Sequence, residues 1–318
     1  MQIPQFFKLF KQNSRESGWV AVAISKRGIH IAQAKYVGAR PQVTKCAFYP
    51  MSEVTASALE KVRKDAQLED VKFTTLLSAN EYQLMMVDAP NVPVDELKTA
   101  IRWKIKDSLN YHIDDATIDV LQIPSNKYGS DRPQSLYAVS AANETIRKRI
   151  ALFEKAKIEL SVIDIPETAQ RNIAALFEME ARGLAILSFG DEGGLLTITC
   201  DGELFLARRI DITLGQLQDA DDGLRQQYLD RVELEVQRSL DYFDRQFHHI
   251  PVNRILLSVP ESLGLDKLLT TNLGLPVEML DLAQGMDIIA VHELSDSEFV
   301  SYALPVLGAA LRQEKKAL

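Results

Sequence analysis

The stretch ILSFGDEGGLLTITCDGELFLARRI runs from Ile186 to Ile210. An apolar run ends in Gly190-Asp191-Glu192-Gly193-Gly194, and Leu195, Leu196 and Ile198 lead to a second turn at Asp201-Gly202 and a further apolar run. Short apolar runs between glycine-bearing turns read as strands joined by hairpins. The glycines admit two uses. They can serve a tight turn, or they can present backbone N–H groups to an anion.

The same pattern occurs earlier. GWVAVAISKRGIHIAQAKY, Gly18 to Tyr36, reads as a strand, a turn around Lys26-Arg27-Gly28 and a second strand with Ile29 and Ile31 alternating. Val22-Ala23-Ile24-Ser25 falls on Leu187-Ser188-Phe189-Gly190. A repeated unit near the start of each half suggests two related α/β domains facing one another. Around it, DVKFTTLLSA, QLMMVDAP, SLYAVSA, LSVIDIP and NRILLSVP read as strands. Helices are expected at PVDELKTAIRWKIKDSLNYH, with Pro93 and the acids Asp95 and Glu96 at its start, at NETIRKRIALFEKA, and at PETAQRNIAALFEMEARG, which would link the halves. The longest helix carries Leu229, Val232, Val236, Leu240, Phe243 and Phe247 at spacings of three and four. A closing helix follows through Phe299, Tyr302, Ala303, Val306, Leu307, Ala310 and Leu311, despite Pro305.

The totals fit two domains. The chain has 318 residues, 46% of them hydrophobic, with 36 Lys+Arg against 44 Asp+Glu for a net charge of −8. An acidic balance argues against non-specific nucleic-acid binding. Cys46 and Cys200 are too few for a disulfide framework or a thiolate metal site. No apolar run reaches the length of a membrane span and no secretory leader is legible, so a soluble, cytoplasmic protein is expected. In MQIPQFFKLFKQ, Ile3, Phe6, Phe7 and Phe10 stack on one helical face with Lys8 and Lys11 among them. That pattern suits either a membrane-surface helix, with Phe6, Phe7 and Phe10 as its contacts, or a terminus folded onto the body.

Four further stretches, in this order, carry a resemblance: ELKTAIRWKIKDSLNYHID, DGELFLARRID, ELEVQRSLDYF and VLGAALR. Together they resemble the actin-like proteins of type IV pilus assembly, the PilM family, over nearly the whole chain from Trp19 to Arg312. The resemblance implies an α/β, actin/Hsp70-like (ribonuclease H-like) two-lobed fold. Residues 1–18 would be an amphipathic segment and 19–170 the first lobe, with a small α+β subdomain inserted at about 85–141. Residues 171–300 would be the second lobe, and 301–318 a C-terminal helix packing back on the first. It also implies a cytoplasmic platform protein at the inner face of the inner membrane. Such a protein captures the cytoplasmic tail of a PilN-like bitopic membrane protein, beside other platform proteins.

Mg-ATP chemistry in such a fold needs a carboxylate at each hairpin to hold the metal's water shell. The family pattern begins the first hairpin Asp-Ile-Gly, where this chain has Ala23-Ile24-Ser25, and Asp-x-Gly in the second has become Ser188-Phe189-Gly190. Asp191 and Glu192, displaced into the turn, are expected to face solvent. Where the family has a glycine-rich adenosine loop, this chain has Pro260-Glu261-Ser262-Leu263-Gly264. The expectation is an actin-like pseudo-ATPase with no cofactor; Mg-ATP binding by drifted motifs is the alternative. Ser25, Gly190, Gly193, Gly194, Glu235 and Arg238 would be vestiges of a nucleotide site. Without the resemblance, the glycines read as a tight turn and Glu235–Arg238 as an intrahelical ion pair.

For the partner, Val94, Leu97, Ile101, Ile105 and Leu109 form an inward stripe, and Trp103 points away from it. Trp103 then needs either a neighbour inside the subdomain or a bound peptide. Arg102, Trp103, Leu109 and Tyr111 are the candidate partner-binding residues, the resembled family placing its peptide near the insert. An exposed edge at SLYAVSA would accept an extended peptide. His248-His249 lacks a third metal ligand, Ser140 and Ser258 lack a nucleophile-elbow context, and Asp114, Asp115 and Asp119 read as a solvated turn and strand edge. A sugar-kinase-like enzyme of the same superfamily would need a cleft aspartate that cannot be assigned. A domain of a secretion-platform protein is a further alternative.

Overall fold

The computed structural model describes residues 18–68, 71–124 and 135–313. The amphipathic segment with Phe6, Phe7 and Phe10 lies outside them.

The first lobe opens with β1 (Trp19–Ser25), β2 (Gly28–Val37) and β3 (Arg40–Pro50), then α1 (Ala56–Asp65) and β4 (Lys72–Leu76). An insert follows: β5 (Tyr82–Asp88), α2 (Leu97–Ile105), β6 (Ala116–Gln122) and β7 (Ser135–Ala142). α3 (Asn143–Lys155) and β8 (Leu160–Asp164) close the lobe. After α4 (Pro166–Ala174), the second lobe runs β9 (Gly183–Gly190), β10 (Gly193–Cys200), β11 (Glu203–Ile210), α5 (Leu214–Asp219), α6 (Asp222–Gln246), β12 (Val252–Ser258), α7 (Leu265–Leu273) and β13 (Val277–Met279). α8 (Leu282–Gly285) and α9 (Ser297–Ala310) end the described fold.

The strand order is β3-β2-β1-β4-β8 in one sheet and β11-β10-β9-β12-β13 in the other. Both are 3-2-1-4-5 when strands are counted within each lobe, with the first three antiparallel and the rest parallel. The repeat read in the sequence is therefore a repeat of topology. Its alignment holds residue by residue: Ser25 pairs with Gly28 across one two-residue turn, Gly190 with Gly193 across the other. β9 is buried on both faces up to Phe189 and, but for Ser188, is free of polar side chains, as covered sheets require.

α4 and α9 lie between the sheets. Their Ala169, Ile173, Ala303, Val306, Leu307 and Ala310 share one core with Ala21, Ala32 and Ala34 of the first lobe and with Ile186 and Leu256 of the second. Small residues let the layers close up. A Cβ on Gly308 would collide with the Ala169 carbonyl, so α9 and α4 touch backbone to backbone there. The outer face of the first sheet is covered by α1 and α3, that of the second by α6 and α7.

Some expected boundaries move. α9 starts at Ser297 and packs on both lobes, not on the first alone; Arg312 beyond it pairs with Asp164 at 2.6 Å. The insert spans Tyr82–Ala142, and its helix ends at Ile105 rather than near His112, with single 3₁₀ turns on either side. Leu97, Ile101 and Ile105 are buried and Leu109 packs beside them, but Val94, in the preceding turn, is 55% exposed. SLYAVSA, expected at an edge, is the central strand in the order β5-β7-β6. It is flanked on both sides, so strand addition there is ruled out, and the edges belong to β5 and β6.

Candidate interlobe and insert sites

The hairpins β1–β2 and β9–β10 meet across the cleft. The cavity beneath them, about 110 Å³, is room for several waters. Ala23 and Ser188 line it at corresponding positions, with Ser25, His30, Gln170, Gly190, Gly193, Leu195, Arg209, Tyr302 and Pro305. Ser188 Oγ donates to Gln170 Oε1 at 2.7 Å. The Gln170 amide in turn donates to Ile186 O at 2.9 Å and Thr197 Oγ1 at 2.9 Å. A neutral, satisfied network thus occupies the position where a carboxylate would stand. Pro305, inside α9, removes the bond that would otherwise engage the Ser301 carbonyl, which lies nearest to Gly190.

The glycines have local reasons. Gly28 (φ +142°) and Gly193 (φ +105°) occupy the same place in the two hairpins. A Cβ on Gly28 would strike the Tyr49 carbonyl of β3, and one on Gly193 would sit 2.7 Å from the Ile210 carbonyl of β11. The third strand of each sheet demands the glycine. Gly194 has its open face covered by the Phe189 ring, 2.6 Å from where a Cβ would be. Ser25 Oγ accepts from Arg27 N at 3.1 Å, and so serves its own turn. Glu235 and Arg238 pair with each other at 3.3 Å on α6, and neither lines the cavity.

Asp191 and Glu192 do not simply face solvent. Asp191 Oδ1 lies 3.4 Å from Arg27 Nη1 of the opposite hairpin, and Glu192 Oε2 accepts from the Ala79 amide of the first lobe at 2.8 Å. Both residues are exposed, as expected, and the fold adds to each a partner that a local reading cannot see. The Arg27 guanidinium also sits 4.1 Å from the Tyr302 ring centroid and 5.5 Å from that of Phe48.

A second polar cluster, without a signal in the sequence, lies at the start of α4. Glu167, buried at the start of α4, accepts from Arg209 Nε of β11 at 3.1 Å and from the Tyr82 hydroxyl of β5. Arg209 also donates to that hydroxyl. Burial and the Glu167 carboxylate push the Tyr82 phenol above its ordinary range, so it stays a neutral donor. The cluster joins the insert, α4 and the second lobe. Its partners are 42 and 85 residues from Glu167, too far for any spacing rule. His30 is stacked on Phe48 with ring centroids 4.3 Å apart, and burial, then Arg27, lower its pKa to about 4.

The insert packs α2 on one face of its sheet. The other face meets the second lobe, where the Ala207 amide donates to the Tyr137 hydroxyl at 3.0 Å. Of the four candidate partner residues, three are engaged within the subdomain. Arg102 donates to Ala116 O at 3.1 Å and to Ile113 O, Leu109 packs in the insert core, and Tyr111 Oη shares a 2.8 Å hydrogen bond with Ser140 Oγ. Trp103 is 62% exposed, with Lys106 above its ring. The expected intradomain neighbour for Trp103 is not there. Among the described residues no helix is long and apolar enough to cross a membrane, and no group of three acids, histidines or cysteines is placed to hold a metal.

Two lobes of identical strand order around a cleft, with a subdomain in the first, define an actin-like fold. Comparison with solved structures agrees: the chain is similar to the PilM-PilN type IV pilus biogenesis complex, with 18% identity over 93% of this chain and 98% of that one and a TM-score of 0.73. More distant likenesses include the cytoplasmic domain of EpsL, an inner-membrane component of the type II secretion system of Vibrio cholerae (13% identity, 77% and 83% coverage, TM-score 0.47). A Bacteroides thetaiotaomicron protein of actin-like ATPase fold and unknown function is similar at 10% identity, with 92% and 99% coverage and a TM-score of 0.46. No protein-family profile and no curated protein matches the sequence.

Proposed function

We propose that this chain is a PilM-like scaffold of a type IV pilus inner-membrane platform, working at the inner face of the inner membrane and binding the cytoplasmic tail of a PilN-like membrane protein. The likeness to the PilM-PilN complex over nearly the full length of both chains supports it. The finer assignment, to the branch that builds the mannose-sensitive haemagglutinin pilus (the MshI type), rests on the sequence resemblance. One contrast carries the proposal: the cleft residues satisfy one another, whereas Trp103 stands unused on the insert. Exposed aromatics of this kind anchor protein interfaces. A pulldown from membranes tests it. Wild-type protein should retain a bitopic membrane protein and Trp103→Ala should lose most of it; retention of no membrane protein by wild type sinks the scaffold reading.

The same proposal has no ATPase activity. Ala23 and Ser188 supply no carboxylate for a magnesium shell, and the loss of a positioned acid–base group typically lowers a rate by about 10²–10⁴. Titration calorimetry with Mg-ATP should give no binding heat. A micromolar dissociation constant would instead favour the alternative, an Mg-ATP-binding member of the same machinery.

A further inference from the structure

We propose that the two hairpin tips form a latch, made of Arg27, Asp191 and Glu192, that holds the mouth of the cleft closed without any ligand and loosens it when its charges are screened. The groups that meet are of opposite sign, Arg27 on one tip and Asp191 on the other. The tips touch through the Arg27–Asp191 ion pair at 3.4 Å, and the Glu192 carboxylate of the second tip also accepts from the Ala79 amide, in the loop after β4 of the first lobe, at 2.8 Å. Arg27 is held for the purpose from three sides: Ser25 Oγ fixes its backbone, the Phe48 ring lies on one flank, and the Tyr302 ring of α9 on another.

What makes this a latch rather than one more surface contact is the other end of the same ribbon. Gly28 lies at the cleft end of β2–β3, paired with Pro50; Val37 and Arg40 pair at the far end, nine residues or about 30 Å along β2. There the lobes are joined by main chain. Val43 N donates to Asp287 O at 2.8 Å, Asp287 N donates to Pro41 O at 2.8 Å, and Arg40 reaches Met286 O at 3.2 Å. Backbone bonds respond little to salt, whereas half-exposed ion pairs are screened. The main-chain bonds at the far end, the shared core on α4 and α9 and the insert's contacts with β11 are the fixed joints, and the charged tips are the clasp, the joint of adjustable strength.

The test uses the full chain with spin labels on exposed positions of the two lobes, Lys61→Cys on α1 and Lys267→Cys on α7, beside amide exchange at Ala79. Neutralising the clasp with Asp191→Asn and Glu192→Gln should broaden and lengthen the interlobe distance distribution. Exchange at Ala79 should speed up about two- to fivefold, the range expected for a partly exposed ion pair. Raising salt from low to high concentration should do the same to the unaltered tips. Lys26→Ala, which removes a like charge from the same turn but outside the clasp, should do neither. An interlobe distance and an Ala79 exchange rate indifferent to both the double substitution and salt would overturn the proposal, as would an equal response to Lys26→Ala.

Discussion

The two halves share one strand order, and they differ most instructively where their sheets face the cleft. Laid on one another by their hairpins, His30 and Phe48 of the first half fall on Leu195 and Arg209 of the second. Each half thus puts one nitrogenous side chain and one apolar side chain on the same pair of strands, exchanged in position. The first keeps its imidazole neutral by burial and the nearby Arg27 charge; the second pairs its guanidinium with Glu167. At the turns the exchange is of sign, basic against acidic. Two halves of one strand order thus present complementary surfaces, and complementarity lets the halves hold each other.

The largest effect should come from unpairing the second half's solution. Arg209→Leu leaves the Glu167 carboxylate buried without its cation, and breaking a buried pair from one side costs about 3–5 kcal/mol; the lower figure applies because Arg209 is a third exposed. Urea denaturation at pH 7.5 measures it. A loss below 1 kcal/mol would mean that Glu167 is not held as an ion pair.

The first half's solution predicts a pH dependence. His30 has a folded pKa near 4 against an ordinary 6.5, so between those values the unfolded chain binds more protons. Its contribution is intact above pH 6.5 and is lost as pH falls toward 4, by at most about 3 kcal/mol. Urea midpoints at pH 7.5, 6 and 5 should fall in that order, and His30→Phe should flatten the decline relative to the parent.

The turns give a smaller, sharper contrast. Gly28→Ala and Gly193→Ala should each destabilise by about 1–3 kcal/mol, because both residues have positive φ and face a third-strand carbonyl. Gly190→Ala, with no atom nearer than 3.9 Å to its Cβ, should change stability by no more than about 0.5 kcal/mol. Thermal or urea melts of the three variants suffice. Equal losses at all three would mean that the glycines answer to something other than the third strand.

Patterns of period two and three to four carried the sequence reading far. The repeat at Val22–Ser25 and Leu187–Gly190 and the stripe of α6 are local in origin, and both are present; the inserted unit was expected from the resemblance alone. Pairings over long separations were illegible. Arg27 and Asp191 are 164 residues apart, and no spacing announces that two charged turns will meet. SLYAVSA was misplaced for a related reason: alternation identifies a strand but not its neighbours, and β7 pairs with strands on both of its sides. Within the candidate partner site only the direction of Trp103 could be read, because it follows from helix geometry alone. Arg102 and Tyr111 reach across to other segments, and the sequence says nothing of where those segments lie.

The bond between Asp287 and the outer strand β3 has a bearing on crowding. An unpaired strand edge is a template on which other extended chains can lengthen a sheet, and from there aggregate. A short piece of the second lobe occupies part of this one, at Pro41 to Val43. In a cell compartment rich in free peptide tails, stray strands are denied a foothold at that rim of the molecule.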